Sequence, residues 1–129
     1  MATKVIQPKS LSDPRPRFSH GILAGGGKLL FIAGQTASDK DGNVVGKGDI
    51  EAQSRQVFTN LSAVLKEAGG SLDNLVMTTT YITDRKYREG YNRVRSQCYK
   101  KNPPTSTLVI VKGLANKDYL IEIAGIALI

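Results

Sequence analysis

Val57, Phe58, Leu61, Val64, Leu65 and Ala68 fall at i, i+1, i+4, i+7, i+8 and i+11, one apolar stripe at helical period. A helix so patterned must lay that stripe on a second apolar surface, and the rest of the chain has to supply it. Asp49 is placed to cap the helix, Glu51 suits its first turn, and Gly69-Gly70 ends it. The surface comes from strands. Leu75 to Thr83 (LVMTTTYIT) is rich in β-branched residues, and Ser106 to Lys112 and Tyr119 to Leu128 close the chain as two more. A second helix follows from Tyr87, Tyr91, Val94 and Cys98 at i, i+4, i+7 and i+11, stopped by Pro103-Pro104.

Ahead of the first helix, Gly25-Gly26-Gly27 reads as a tight turn between the apolar segments Gly21 to Ala24 and Lys28 to Gly34. Three glycines also suggest a phosphate loop, but no helix with a GK[ST] start follows. Asp41-Gly42 marks a further turn, making Thr36 to Val45 a loop or short hairpin. Pro8 to Pro16 is the loosest stretch, so residues 1–17 are read as partly an N-terminal arm on a single domain covering 1–129. The predicted order is β-β-β-α-β-α-β-β, an α+β fold with one mixed sheet and two helices on one face. The strands Leu29 to Ala33, Leu108 to Val111 and Tyr119 to Ile129 are apolar at both parities, which predicts burial on both sides. Two helices cover only one face, so the other is expected to be closed by further copies of the chain.

Composition excludes several classes. At 129 residues the chain has the length of one domain and buries roughly two-thirds of its unfolded surface. The first twenty residues hold Asp13, three prolines and two arginines, with no continuous apolar block of the kind a secretion signal needs. The most apolar stretch, Tyr119 to Ile129, is eleven residues long and contains Glu122, too short and too polar to span a bilayer. A single cysteine, Cys98, allows no internal disulfide or thiolate zinc site, and a single histidine, His20, no multi-histidine metal centre. The expectation is a reduced, cytoplasmic domain with no metal or other cofactor and no membrane partner.

The net charge is +7, and seven basic residues fall between Arg85 and Lys101. Lys86, Arg93 and Lys100 are seven apart, as are Arg88 and Arg95, so both sets flank the apolar line of the second helix. This reads as a solvated face, with a phosphate-tracking surface as the alternative. No tryptophan is present and the tyrosines fall mainly on packed faces, so nucleic acid is not the expected partner.

Glu122 is the most informative acid, lying inside Leu120-Ile121-Glu122-Ile123-Ala124. A carboxylate in such a setting either finds a cation, donors or an edge, or serves in proton transfer. Gly34-Gln35 ends its strand and reads either as a loop start or as the lining of an anion pocket. Asn92 sits off the apolar line and reads as solvated. Ser19-His20 has no third group to make a triad, and Cys98 continues the core stripe.

Taken in order, Phe18-Ser19-His20, Phe31-Ile32-Ala33-Gly34-Gln35, Asp49-Ile50-Glu51-Ala52-Gln53, Asn60-Leu61, Leu65-Lys66-Glu67-Ala68-Gly69, Tyr91-Asn92 and Ile121-Glu122-Ile123-Ala124 resemble the Rid family, also called YjgF, from about Ile6 to Leu128. The resemblance implies a chorismate-mutase-like fold, a homotrimer, and small-molecule clefts at the subunit interfaces. It also implies hydrolysis of enamines and imines to ammonia and an oxo acid without a cofactor. Glu122 would hold the attacking water, and Gly34, Gln35 and Asn92 would line the cleft.

The family's Pro-Ala-Arg-Ser motif, whose arginine clamps a substrate carboxylate, reads Pro103-Pro104-Thr105-Ser106 here. Thr105 offers a hydroxyl where a bidentate cation would stand. Phe18 replaces a tyrosine and Ala33 a serine, so two more hydroxyls leave the cleft. The expectation is an enamine or imine hydrolase with an altered substrate, for which imino-acid deamination is not expected. Thr107 shares the parity of Thr105, so the two hydroxyls together suit a neutral polar ligand, and Arg17, next to Phe18, is the candidate replacement cation. The alternatives are a non-catalytic ligand-binding trimer and action on RNA, since the family also carries ribonuclease and translation-inhibitor labels.

Overall fold

A computed structural model describes residues 2–129; Met1, the first residue of the expected arm, lies outside them. In chain order the elements are β1 (Ala2–Ile6), β2 (Gly21–Gly25), β3 (Leu29–Thr36), α1 (Ile50–Glu67), β4 (Leu75–Ile82), α2 (Arg88–Arg95), β5 (Thr105–Ile110) and β6 (Ile121–Leu128). This is the order read from the sequence. The third early strand is β1, inside the stretch read as an arm. Thr36 to Val45 is a loop closed by one bridge, between Ser38 and Val44.

β1 and β2 pair antiparallel, while the main mixed sheet runs β3-β6-β4-β5, with β4 and β5 parallel and the other pairs antiparallel. Beyond Leu29, Lys28 and Ile129 exchange two backbone hydrogen bonds of 2.9 and 2.8 Å, extending the β3–β6 pairing toward the glycine turn. Gly26, at φ +74°, supplies that turn's left-handed residue.

α1 lies on the sheet through its predicted stripe. Val57, Phe58, Leu61 and Leu65 are buried, whereas Val64 is half-buried and Ala68 forms the exposed C-cap. The Asp49 side chain accepts a hydrogen bond from the Ala52 N–H at 3.0 Å, the expected N-cap. Gln53 points into the core and is fully paired there. Its amide donates to the carbonyls of Gly46 (3.2 Å) and Asp118 (2.8 Å), and its oxygen accepts from the Leu120 N–H (2.8 Å). One helical side chain thus ties the α1 start to the entry of β6.

The covered face of the sheet is formed by Thr78, Thr80 and Ile82 of β4 and Ile121, Ile123 and Ala127 of β6, all buried. The alternate residues face away from the helices, and many are apolar and wet. Phe31 is 70% exposed, Leu29 59% and Met77 45%. Phe31 and Met77, with Thr79, Ala124 and Ile126, line a shallow hollow of about 230 Å³. Within a single chain β3 and β6 are therefore buried on the helix side only, and Leu108 to Val111 is at most half-buried. None of the helices among the described residues is long and apolar enough to cross a membrane.

Candidate functional site

β3 and β6 build the first half of the site. Their register slips by one residue between Ile32 (opposite Gly125) and Gln35 (opposite Ile123), so Ala33 and Gly34 form a bulge on β3. Glu122 sits on β6 opposite Thr36 on one side and Tyr81 on the other, on the face the helices leave open. Its carboxylate packs directly against the Gly34 backbone. A Cβ at position 34 would overlap Glu122 Oε2 and lie 2.8 Å from its Cδ. Glycine is therefore the residue that lets a bulged strand and a glutamate share this space. Among the described residues the half-buried Glu122 carboxylate has no hydrogen bond and no ion pair. Neither structural alternative for Glu122 is seen in the single chain: it has no ion pair among the described residues, and β6 is an inner strand of the sheet, not an edge. Gln35 is half-buried and donates to the Ala33 carbonyl at 3.2 Å, bracing the bulge.

The second half forms where α2 meets the start of β5. Ser19 docks the preceding loop there. Its N–H donates to the Pro104 carbonyl (2.9 Å), its hydroxyl to the Pro103 carbonyl (2.5 Å), and it bridges to Thr105. Ser19 is thus a buried anchor rather than a nucleophile. His20 is exposed, with Nε2 2.8 Å from the Ser12 carbonyl. This anchoring sets the half-buried Phe18 ring near α2. Thr105 does not present a free donor: its hydroxyl donates to the Val76 carbonyl at 2.9 Å, while its own carbonyl accepts from Thr78 Oγ1 at 3.0 Å. Thr107 lies exposed on β5 opposite Thr79.

The residue that dominates this half was missed in the sequence. Arg95, read above as part of a solvated basic face, is 5% exposed. Its guanidinium carbon lies 4.6 Å from the Tyr91 ring centroid and 5.9 Å from that of Phe18. Nε donates to Asn92 Oδ1 (2.9 Å), and Nη1 to Tyr91 Oη (3.2 Å) and Ser106 Oγ (3.0 Å). Tyr91 Oη is in turn 2.9 Å from Thr80 Oγ1, so the network reaches the sheet core. No carboxylate pairs with Arg95 among the described residues. Burying an unpaired cation costs several kcal/mol. Charge-assisted hydrogen bonds, about 1.5–3 kcal/mol each, and contacts with two ring faces offset that here. A signal was present in the sequence: Tyr91, Asn92 and Arg95 at i, i+1 and i+4 put both partners within helical reach of the arginine.

Asn92, read as solvated, is half-buried with its side-chain oxygen committed to Arg95. Arg17, the sequence candidate for a replacement cation, is exposed, and its side chain has no hydrogen bond or ion pair among the described residues. Cys98 packs on the core cluster and donates to the Val94 carbonyl at 3.3 Å; burial pushes its thiol up to about 11, away from nucleophilic use.

Within one chain the two halves do not meet. Tyr81, beside Glu122, is paired with Val109 of β5, four residues along from Thr105. Strand geometry then puts the Glu122 and Thr105 positions about 16 Å apart. Most of the sequence candidates thus form two clusters, Glu122 with Ala33, Gly34 and Gln35, and Phe18 with Asn92 and Thr105 around Arg95; Arg17 and Thr107 lie exposed outside them.

Comparison with known proteins identifies the family and the fold. Residues 9–129 match the family model described as Endoribonuclease L-PSP. A RutC family protein of Pyrococcus horikoshii is 39% identical over 125 residues, covering 96% of each chain, and one of Pyrococcus abyssi is 35% identical over 127 residues, covering 98% of each. Among solved structures, the Rid family protein YyfB of Yersinia pestis superposes with a TM-score of 0.94 at 32% identity over the whole of both chains. RidA from an Antarctic Psychrobacter gives 0.73 at 27% identity, covering 98% of this chain and 99% of its own. By its motifs, its strand order and these matches, the chain belongs to the Rid family, the family of the L-PSP and RutC proteins.

Proposed function

We propose that this chain is a cofactor-free hydrolase of enamines or imines, acting in the cytoplasm as a homotrimer with a ligand cleft between copies. The observation that carries the reading is the Glu122 carboxylate: half-buried, unpartnered among the described residues, and set against the Gly34 backbone. A carboxylate kept free of cations accepts a proton from a water molecule held at its oxygen. An enamine first tautomerises to its imine, its N–H proton moving to carbon. The water oxygen attacks the C=N carbon, and the proton held by Glu122 passes to nitrogen. As the carbinolamine collapses, its hydroxyl proton moves to nitrogen and the C–N bond breaks, releasing ammonia and leaving a carbonyl. The bulge leaves backbone at Gly34 outside the regular ladder to hydrogen-bond the ligand.

The separation of the two residue clusters supports a cleft shared between copies, since the second cluster is brought beside Glu122 only by a neighbour. The uncovered apolar face supports the same assembly. The Thr105 hydroxyl, tied to Val76, supports a substrate differing from the imino acids that an arginine at that position would hold.

The test is ammonia release from enamines and imines generated in solution, with 2-aminoacrylate as the carboxylate-bearing reference. Wild-type protein is expected to accelerate hydrolysis of part of the panel, and Glu122→Gln to lose about 10²-fold or more. Wild-type rates equal to the uncatalysed blank across the panel overturn the hydrolase and leave a ligand-binding protein.

Action on RNA is a second reading, favoured by the description of the matched family and by Arg85, Lys86 and Arg88. These are exposed and free of carboxylate partners among the described residues. Phosphate-driven binding must weaken steeply with salt, so salt-insensitive or absent RNA binding removes it.

A further inference from the structure

We infer that Arg95 is the floor of a small-oxyanion site at the junction of α2 and β5, a site for a ligand carboxylate or phosphate group. The inference goes beyond the hydrolase reading, because a protein without catalysis would bind an anion here equally well.

Lysines and arginines are almost never fully buried unless paired, yet Arg95, at 5% exposure, has no carboxylate partner among the described residues. Its three hydrogen-bonding partners, Asn92, Tyr91 and Ser106, are all neutral. They fix the orientation of the guanidinium plane and leave its positive charge intact. They also use only Nε and Nη1. Nη2 makes no hydrogen bond among the described residues, and it is not one of the buried side-chain atoms left unpaired, which are Gln7 Oε1 and Ser54 Oγ. It therefore retains both donors without being fully enclosed. Tyr91 and Phe18 flank the guanidinium with ring faces, lowering the local dielectric and strengthening attraction for an anion at Nη2.

A purely structural arginine would have its fork closed by a carboxylate or by backbone carbonyls. Here Asn92, Tyr91 and Ser106 hold two nitrogens of one guanidinium while the third, Nη2, keeps both its donors, the arrangement of a recognition group held ready. Ser106 adds a hydroxyl beside the same edge strand.

The experiment is a titration of the full-length, 15N-labelled protein at constant ionic strength with sodium acetate, with inorganic phosphate, and with acetamide as the uncharged isostere of acetate. The Arg95 Nε–H resonance, assigned by its absence in Arg95→Lys, is expected to shift saturably with a Kd of about 1 mM. Acetate alone identifies a carboxylate site, phosphate alone a phosphate site, and acetamide is expected to do nothing. Arg95→Lys is expected to weaken binding about tenfold, because an ammonium cannot be held by Asn92 and Tyr91 while meeting the anion. If that variant fails to fold, the resonance in the wild-type protein still decides the matter. A resonance unmoved by both anions, or moved equally by acetamide, overturns the inference. Hydrolysis measured on the same sample separates the two proposals: anion binding without hydrolysis upholds this one alone, and hydrolysis without anion binding upholds only the other.

Discussion

The side chain that Gly34 lacks would occupy the space of the Glu122 carboxylate, its Cβ 2.8 Å from Glu122 Cδ. Gly34→Ala therefore pushes the carboxylate aside. Glu122 is the flexible end of a half-buried side chain, so it can swing away at little cost, and the fold is expected to lose less than about 1 kcal/mol. On the proposed hydrolase reading, misplacing this carboxylate by about 1 Å is expected to lower hydrolysis about 10²-fold. Matched melting curves with lost turnover are the expected pair of results.

Phe31 is 70% exposed on the open sheet face, and no core contact holds it. Phe31→Lys is expected to leave each chain folded and to prevent association, since a charge cannot be covered by an apolar partner without cost. Mass measurement in solution checks this. A variant with the mass of wild-type protein would remove the open face from the interface.

Gln53 satisfies two carbonyls and one N–H in the core. Gln53→Leu keeps much of the volume and orphans all three, so denaturant unfolding is expected to show a loss of about 3 kcal/mol. A surface substitution such as Lys40→Ala serves as the reference, with no measurable change.

Burial raises the Cys98 thiol from 9.0 to about 11. In the unfolded chain the thiol ionises near 9, so above that pH the unfolded state has lost a proton that the folded state retains. The Cys98 contribution to stability is accordingly full below pH 9 and is lost as pH rises through 11. Alkylation of the native protein by iodoacetamide is expected to be slow at pH 8 and to quicken after unfolding; Cys98→Ala is expected to flatten the alkaline part of the stability profile.

Much of this architecture is legible in the sequence because it rests on periodicity. The α1 stripe, its Asp49 cap and the strand at Leu75 follow from spacing and β-branching alone. β1 escaped because Ala2–Ile6 is too short to show a pattern and precedes a proline-rich run; only pairing with β2 makes it a strand. Glu122 was recognisable as an acid among apolar residues, but its lack of a partner depends on what β3 and β4 bring beside it. Arg95 was hidden because helical spacing places it on the flank of the stripe. Its burial comes from Phe18 and Ser106, residues distant in sequence that the Ser19 anchor and β5 carry to it.

Phe31, Leu29 and Met77 remain wet on an isolated chain, so each newly synthesised copy carries an adhesive panel until something covers it. Slow synthesis keeps such panels dilute, whereas rapid overproduction multiplies collisions between them. Recovery of usable protein is then governed by the pace of expression, and a rise in the melting point of the folded chain does nothing to improve it.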